Sequence, residues 1–219
     1  GFQIVAAVKL GGTEIVVDGL AMSADDRLFA FQLGSGDSRL ITIDKDTASA
    51  AAAGPFLAGR DIRGAVIAQS GQLIVLDVAQ SVLLEVSLLS GTLLRVSVPL
   101  TTNGATFTLS NGCDIAQRRD GAFIVASYNT FYQLDIATGV LTALHTDTTP
   151  QGDDLPVFIA GLAVSSVPSA LHTLFVYDVN GEDDLYTYQP DFTRSMLITN
   201  IIASYNAGRG DLAARTPEP

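Results

Sequence analysis

The densest group of side chains that could bind a metal ion lies at residues 178–184, where the sequence reads Asp-Val-Asn-Gly-Glu-Asp-Asp. Calcium takes several hard oxygen ligands from one flexible loop, and carboxylates placed around a glycine turn can supply them. The candidate ligands are Asp178, Asn180, Asp183 and Asp184. The segment is also typical of a β-hairpin, because Asn-Gly favours a tight turn and leaves the flanking acids solvated. A calcium site and a plain hairpin therefore stand as alternatives.

A second group of charged residues lies in the connections between the repeated units described below. Arg60, Asp61 and Arg63 precede the second unit, and Asp153 and Asp154 precede the fourth. Long connections carry function more often than short ones. We therefore expect these five residues to form a ligand-binding face at a central pocket, with solvated loop acids as the alternative.

The inventory of catalytic side chains is small. The two histidines, His145 and His172, have no neighbouring nucleophile in a known arrangement, and no Gly-x-Ser-x-Gly, His-Glu-x-x-His or phosphate-loop motif occurs. Cys113 is the single cysteine, so it forms no internal disulfide, and its position at the start of an apolar strand predicts a small core residue. No catalytic residue is predicted, and calcium is the one cofactor left open.

Composition indicates the elements that position these side chains. The chain has 219 residues, a net charge of −11 and a mean hydropathy of +0.34. Nucleic acid is excluded as a partner because phosphate binding needs clustered Lys and Arg. No run of about 18 apolar residues is present, so no transmembrane segment is predicted. Nineteen Asp stand against four Glu, and since Asp favours turns, short apolar strands with acidic turns are expected.

Four segments of the chain repeat one pattern of strands. Their first strands centre on Leu20, Val66, Ile115 and Leu162, which are 46, 49 and 47 residues apart. Second, third and fourth apolar runs follow, separated by turn residues. Four antiparallel strands repeated at this interval predict the blades of a β-propeller. The repeats cover about residues 18–59, 60–105, 106–150 and 156–199.

The remaining residues could add a partial fifth blade. Residues 2–17 look like two strands joined at Gly11-Gly12, and residues 197–205 look like one more. We expect both termini to close this incomplete blade, which gives a propeller over residues 1–205 and a flexible tail over 206–219. A ring of four blades, or a β-sandwich with accidental periodicity, is the alternative.

The chain resembles known bacterial proteins in two respects. Residues 19–47 and 134–139 resemble the blades of exported bacterial propellers. The chain ends Arg-Thr-Pro-Glu-Pro, which is similar to the start of a PEP-CTERM sorting signal, although Thr216 replaces the usual Val and the hydrophobic helix and basic cluster are absent. The resemblance implies that a sorting helix follows Pro219 and that an exosortase processes the native tail.

The strand repeat, the resemblance to exported proteins and the small number of catalytic side chains together predict a class of function. We expect an exported binding or interaction module at the bacterial envelope, cell surface or extracellular matrix, with extracellular polysaccharide or a surface protein as partner. The alternatives are a calcium-dependent hydrolase or lactonase with its site at the propeller axis, and a structural protein whose acidic surface holds counterions.

Overall fold

The computed structural model describes residues 7–148, 159–165, 173–178 and 184–198. All regular elements in these ranges are β-strands, and they form four sheets arranged as a β-propeller. The prediction of an all-β propeller with four full repeats is therefore confirmed. Within the described ranges, no helix has the length and apolar character needed to cross a membrane.

Each sheet is a blade whose successive core strands run antiparallel from the propeller axis to the rim. Blade 1 consists of β1 (Lys9–Leu10), β2 (Thr13–Glu14), β3 (Val17–Met22), β4 (Leu28–Leu33), β5 (Ser38–Ile43) and β6 (Ser49–Ala52). Blade 2 consists of β7 (Ile62–Ile67), β8 (Leu73–Asp77), β9 (Val82–Val86) and β10 (Leu93–Pro99). Blade 3 consists of β11 (Thr101–Thr102), β12 (Ala105–Thr106), β13 (Cys113–Gln117), β14 (Phe123–Ser127), β15 (Thr130–Asp135) and β16 (Val140–Thr146). Blade 4 consists of β17 (Ile159–Val164), β18 (Leu174–Asp178), β19 (Asp184–Tyr188) and β20 (Arg194–Ile198).

Apolar clusters fill the spaces between successive blades. The inner strands β3, β7, β13 and β17 pack on one another in that order, and within the described residues no comparable contact joins β17 to β3. Phe31 packs between blades 1 and 2, Leu76 between blades 2 and 3, and Phe131 between blades 3 and 4. Each such side chain contributes roughly 1.5–3 kcal/mol by leaving water. These three interfaces form the core.

The strand register changes one position of the sequence alignment. Ile115 and Leu162 pack toward the preceding blade, and Leu20 lies on the corresponding, open face of blade 1. In blade 2 the equivalent residue is Ala65, because Val66 packs toward blade 3. Side chains alternate between the two faces of a strand, so a shift of one residue exchanges the faces. The sequence could not decide this because both residues are apolar.

Blades 1 and 3 each carry an additional hairpin at the rim. In blade 1 the hairpin β1–β2 turns at Gly11-Gly12, and β1 pairs in parallel with the outer strand β6. In blade 3 the hairpin β11–β12 turns at Asn103-Gly104, and β11 pairs in parallel with β16. All four turn residues have positive φ, as tight hairpin turns require.

These hairpins account for the described part of the leading segment. Strands β1 and β2 extend blade 1, and Val8, Ile15 and Val17 pack against Ile41 on its open face. The described part of the leading segment therefore extends blade 1 where a partial fifth blade was expected, because Val8, Ile15 and Val17 pack on that sheet and are half-buried there. The other expected component was residues 197–205, of which 197–198 belong to β20 in blade 4. Residues 199–205 and the expected tail over 206–219 lie outside the described residues. The hairpin β11–β12, assigned to the end of the second repeat, joins the sheet of the third.

Candidate functional site

The antiparallel blades give the propeller two chemically different ends. At one end lie the turns between the first and second strands and between the third and fourth strands of each blade, and we call this end the turn face. At the other end lie the turns between second and third strands and the connections between blades. We call this end the connection face.

Aspartates are segregated between these two faces. Fifteen of the nineteen Asp lie in the described part of the chain. The seven that are exposed all lie on the turn face, and they are Asp25, Asp26, Asp44, Asp46, Asp120, Asp135 and Asp191. The eight that are buried or half-buried all lie on the connection face, and they are Asp18, Asp37, Asp61, Asp77, Asp114, Asp147, Asp178 and Asp184. The described aspartates are therefore exposed to water at one end of the molecule and buried or half-buried at the other.

On the turn face, exposed carboxylates cap the turns. Asp44 accepts hydrogen bonds from the amides of Asp46 and Thr47, and Asp135 accepts bonds from the Ala137 amide and the Thr138 hydroxyl. These bonds favour the ionised carboxylates and hold the pKa values of Asp44 and Asp135 below the ordinary value. These acids do the structural work that Asp commonly performs in turns.

On the connection face, the predicted ligand residue Arg63 is bound within the protein. Its Nε and Nη2 atoms donate to the two oxygens of Asp61 at 2.6 and 3.0 Å, and its Nη1 atom donates to Asp18 at 3.2 Å. Arg63 and Asp18 are only 11% and 9% exposed. Burial by itself would lower the pKa of Arg63, but the bonds and charges of Asp61 and Asp18 outweigh it and raise the pKa. This arginine joins the inner strands of blades 1 and 2.

The predicted ligand residue Arg60 has a similar position one strand further out. Its Nη1 atom donates to Asp77 at 2.8 Å and to Gln80 at 2.6 Å. Asp77 is fully buried and also accepts the backbone amides of Asp61 and Ala79. The structure thus brings Arg60, Asp61 and Arg63 together, and their charges are directed at neighbouring residues of the chain.

The inner strands approach each other closely beside Asp114. This fully buried carboxylate accepts the amide of Ile115 at 2.7 Å and the amide of Leu162, in blade 4, at 2.6 Å. A Cβ atom added at Gly64 would lie 2.8 Å from the Cα of Asp114, so blades 2 and 3 are in backbone contact here. Asp114 therefore connects the inner strands of blades 3 and 4.

The predicted calcium ligands are only partly described. Asp178 and Asp184 are opposite residues of the antiparallel pair β18–β19, and both are buried. The Tyr186 hydroxyl donates to Asp184 at 2.8 Å. Asn180 and Asp183 lie outside the described residues, as do Asp153 and Asp154 of the predicted ligand-binding face. Within the described ranges, no three His, Cys, Asp or Glu residues form a group that could hold a metal ion.

Two buried tyrosines of blade 4 also donate hydrogen bonds to carboxylates. The hydroxyl of Tyr188 donates to Asp147 at 2.6 Å, and Tyr186 donates to Asp184. Burial is the largest cause that raises the pKa of both phenols, and the adjacent carboxylates raise it further. These tyrosines are therefore neutral hydrogen-bond donors between strands.

The other candidate chemical groups serve packing. Cys113 is 1% exposed within the apolar cluster between blades 2 and 3, as the sequence predicted. His145 stacks on Phe192 with ring centroids 5.1 Å apart. His172 lies outside the described residues.

The connection face presents apolar side chains that the sequence did not reveal. Val16, Phe56 and Tyr128 are 52%, 42% and 45% exposed there. Of the other exposed large hydrophobic residues in the described ranges, Leu89 lies on the turn face, and the remainder lie on outer strands. Nothing in the sequence distinguished these three residues from the core residues beside them, because exposure depends on how the blades pack.

Tyr128 has an unfavourable backbone conformation. Its φ angle is +58°, which is rare for a bulky residue and costs about 1–3 kcal/mol. Its amide donates a hydrogen bond to the carbonyl of Gly112, and its carbonyl oxygen accepts a hydrogen bond from the amide of Ile159, both at 2.9 Å. Bonds to blades 3 and 4 thus hold this residue in place while its side chain remains exposed. This combination identifies Tyr128 as a candidate contact residue.

Known structures resemble this fold at low sequence identity. No protein-family model and no curated protein sequence matches the chain. A Bacteroides thetaiotaomicron protein of unknown function has a TM-score of 0.59 at 13% identity, over 90% of this chain and 54% of its own. A Bacteroides caccae protein of unknown function has a TM-score of 0.56 at 14% identity, over 90% and 71%. Virginiamycin B lyase from Staphylococcus aureus, a propeller protein, has a TM-score of 0.50 at 11% identity, over 83% and 55%.

These similarities support the propeller fold alone, because identities of 11–14% carry no activity from one protein to another. The chain also spans little more than half the length of the lyase, at 55%.

Proposed function

We propose that this chain is an exported interaction module that binds its partner through the connection face. The observation that carries the proposal is the segregation of aspartates. Among the described residues, the exposed aspartates all lie on the turn face, whereas the aspartates of the connection face are buried or half-buried and bonded to other groups of the chain. One end is thereby suited to water and the other to contact with a partner.

The composition of the connection face fits this role. The centres of protein interfaces are depleted in exposed charge and enriched in aromatic residues and arginine. Phe56 and Tyr128 supply exposed aromatic rings, and Val16 adds an aliphatic side chain. A surface of this kind loses less solvation energy on binding than a carboxylate-covered surface does.

The buried ionic contacts hold this surface in one shape. Asp18 and Asp114 each connect the inner strands of neighbouring blades through hydrogen bonds, and Asp77 connects β8 to the connection that leads into β7. A surface that is ordered before binding loses less conformational entropy when the partner arrives. The residues that sequence reasoning assigned to ligand contact, Arg60 and Arg63, support the face from below in this proposal.

The proposal places the module at the cell surface or in the extracellular matrix. Its support is the resemblance of the blades to exported propellers and of the final residues Pro217-Glu218-Pro219 to the start of a sorting signal. The partner is then a surface protein or an extracellular polysaccharide, and an exosortase would process the native tail.

A cross-linking comparison between the two faces tests the proposal. A photoreactive phenylalanine analogue replaces Tyr128 on the connection face or, as the control, Leu89 on the turn face, which is 94% exposed. In the native host we expect discrete cross-linked species from position 128 and none from position 89. Equal products from both positions, or products from position 89 alone, would contradict the assignment of the face. Protease treatment of intact cells tests export, since an exported module is cleaved without lysis.

A further inference from the structure

Arg39 is held in a fixed orientation at the edge of the connection face. Its Nε atom donates to Oε1 of Gln32 at 2.6 Å, and its guanidinium carbon lies 4.5 Å from the centroid of the Phe56 ring. Phe56 packs in turn over Gly34, where an added Cβ would lie 3.1 Å from the ring. An arginine that is both stacked and hydrogen-bonded through Nε has lost most of its side-chain freedom before any ligand binds.

The remaining donors of this group have no partner within the described part of the chain. The two terminal amino groups of Arg39 make no hydrogen bond or ion pair there, and the side-chain amide nitrogen of Gln32 makes none. Asp37, two residues away, accepts the amide of Gly59 and makes no ion pair with Arg39. Five of the eight described arginines are paired with an aspartate, and they are Arg27, Arg60, Arg63, Arg118 and Arg194. Arg39 is one of the three described arginines, with Arg95 and Arg119, that make no ion pair in this part of the chain, whose net charge over the full sequence is −11.

These donors fit the oxygens of a carboxylate. The two amino groups of a guanidinium match the two oxygens of a carboxylate, and such bidentate bonds are stronger than bonds between neutral groups. The amide nitrogen of Gln32 offers another donor beside them, and the exposed part of Phe56 can contact the carbon chain that bears the carboxylate. An ammonium or a neutral hydroxyl would leave the fork of donors unmatched.

We propose that Arg39, Gln32 and Phe56 form a binding site for a carboxylate in an acidic segment of a partner protein. The inference rests on the proposed function, because the site lies on the connection face. Sugar hydroxyls need acceptors as well as donors, and in the described part of this face the aspartates Asp61, Asp77 and Asp114 are already bonded within the protein. An acidic peptide needs only donors and apolar contact, which this site provides.

Titration of the whole chain with a capped hexaglutamate peptide tests the site. At 0.15 M salt, where the Debye length is about 8 Å, we expect a saturable change in the NMR signal of the Arg39 Nε–H group. Capped hexaglutamine should produce none. The variant R39Q should bind the peptide about tenfold more weakly, which corresponds to about 1.4 kcal/mol, and R39K should be weakened as well because lysine lacks the fork.

The matched control is R119Q, which makes the same charge change on the turn face at an arginine with no described ion pair. It should bind like the parent protein, and an unchanged melting temperature of R39Q shows that the fold is retained. Equal binding by R39Q and the parent, or saturable binding of trigalacturonate without binding of hexaglutamate, would overturn the proposal. If the parent protein does not bind hexaglutamate and R39Q still gives cross-links from position 128, the carboxylate site is wrong while the proposed function stands.

Discussion

Replacing Arg63 by methionine tests whether the charged cluster of the connection face is structural. Methionine keeps the apolar stem but leaves Asp18, only 9% exposed, without its cation. Breaking a buried ion pair on one side costs about 3–5 kcal/mol, and since Asp61 is 31% exposed and can be partly hydrated, the lower value of about 3 kcal/mol applies. For a domain of this size that corresponds to a fall in melting temperature of about 6–12 °C.

The matched control is R27M. Arg27 also pairs with an aspartate, Asp25, at 2.8 Å, but both side chains are 61% exposed. Exposed pairs contribute about 0–1 kcal/mol, so this variant should unfold near the parent temperature. Thermal and urea unfolding of both variants at pH 7 measure the difference directly.

A third variant separates the charge effect from loss of packing. In D18N/R63M the uncompensated carboxylate is gone, so part of the lost free energy of unfolding should return. If R63M unfolds within about 0.5 kcal/mol of R27M, the cluster does not stabilise the blades, and Arg63 returns to the set of ligand-binding candidates.

Three further predictions concern the blade contacts and the titrating groups. Gly64→Ala should cost about 1–3 kcal/mol in urea unfolding because its Cβ would overlap the backbone at Asp114, and an unaffected midpoint would rule out that contact. The pKa of Asp135 is lower in the folded state than its unfolded value near 3.8, so its ionised carboxylate stabilises the fold fully above pH 3.8. This stabilisation is lost as the pH falls through the folded-state pKa. D135N should therefore flatten the acid side of a plot of stability against pH. The folded-state pKa values of Tyr186 and Tyr188 are raised, so their neutral phenols stabilise the fold fully below about pH 10, and this stabilisation is lost at higher pH. Absorbance at 295 nm should show two phenols that ionise only on unfolding, and early titration of every tyrosine would contradict their burial.

The propeller could be predicted from local patterns because a blade is mostly local. Apolar runs separated by turns such as Ser70-Gly71 and Asp120-Gly121 specify antiparallel neighbours along the chain. A sheet of this kind has two apolar faces that only neighbouring blades can cover. The burial of Cys113 follows from the same pattern.

The site was predicted less completely because exposure and pairing depend on distant residues. Arg60, Asp61 and Arg63 were recognised as a charged group, but their direction toward Asp18 and Asp77 depends on contacts across 16 to 45 residues of sequence. Neither the left-handed conformation of Tyr128 nor the stacking of Arg39 on Phe56 has a sequence signal.

The sequence by itself determined which residues become strands and turns and how often the blade recurs, because turn propensity and side-chain alternation act between near neighbours. Only the tertiary structure decided what each aspartate does. The same side chain caps a solvated turn at Asp44 and joins two blades at Asp114, because hydration and burial are set by which strands meet at that end of the propeller.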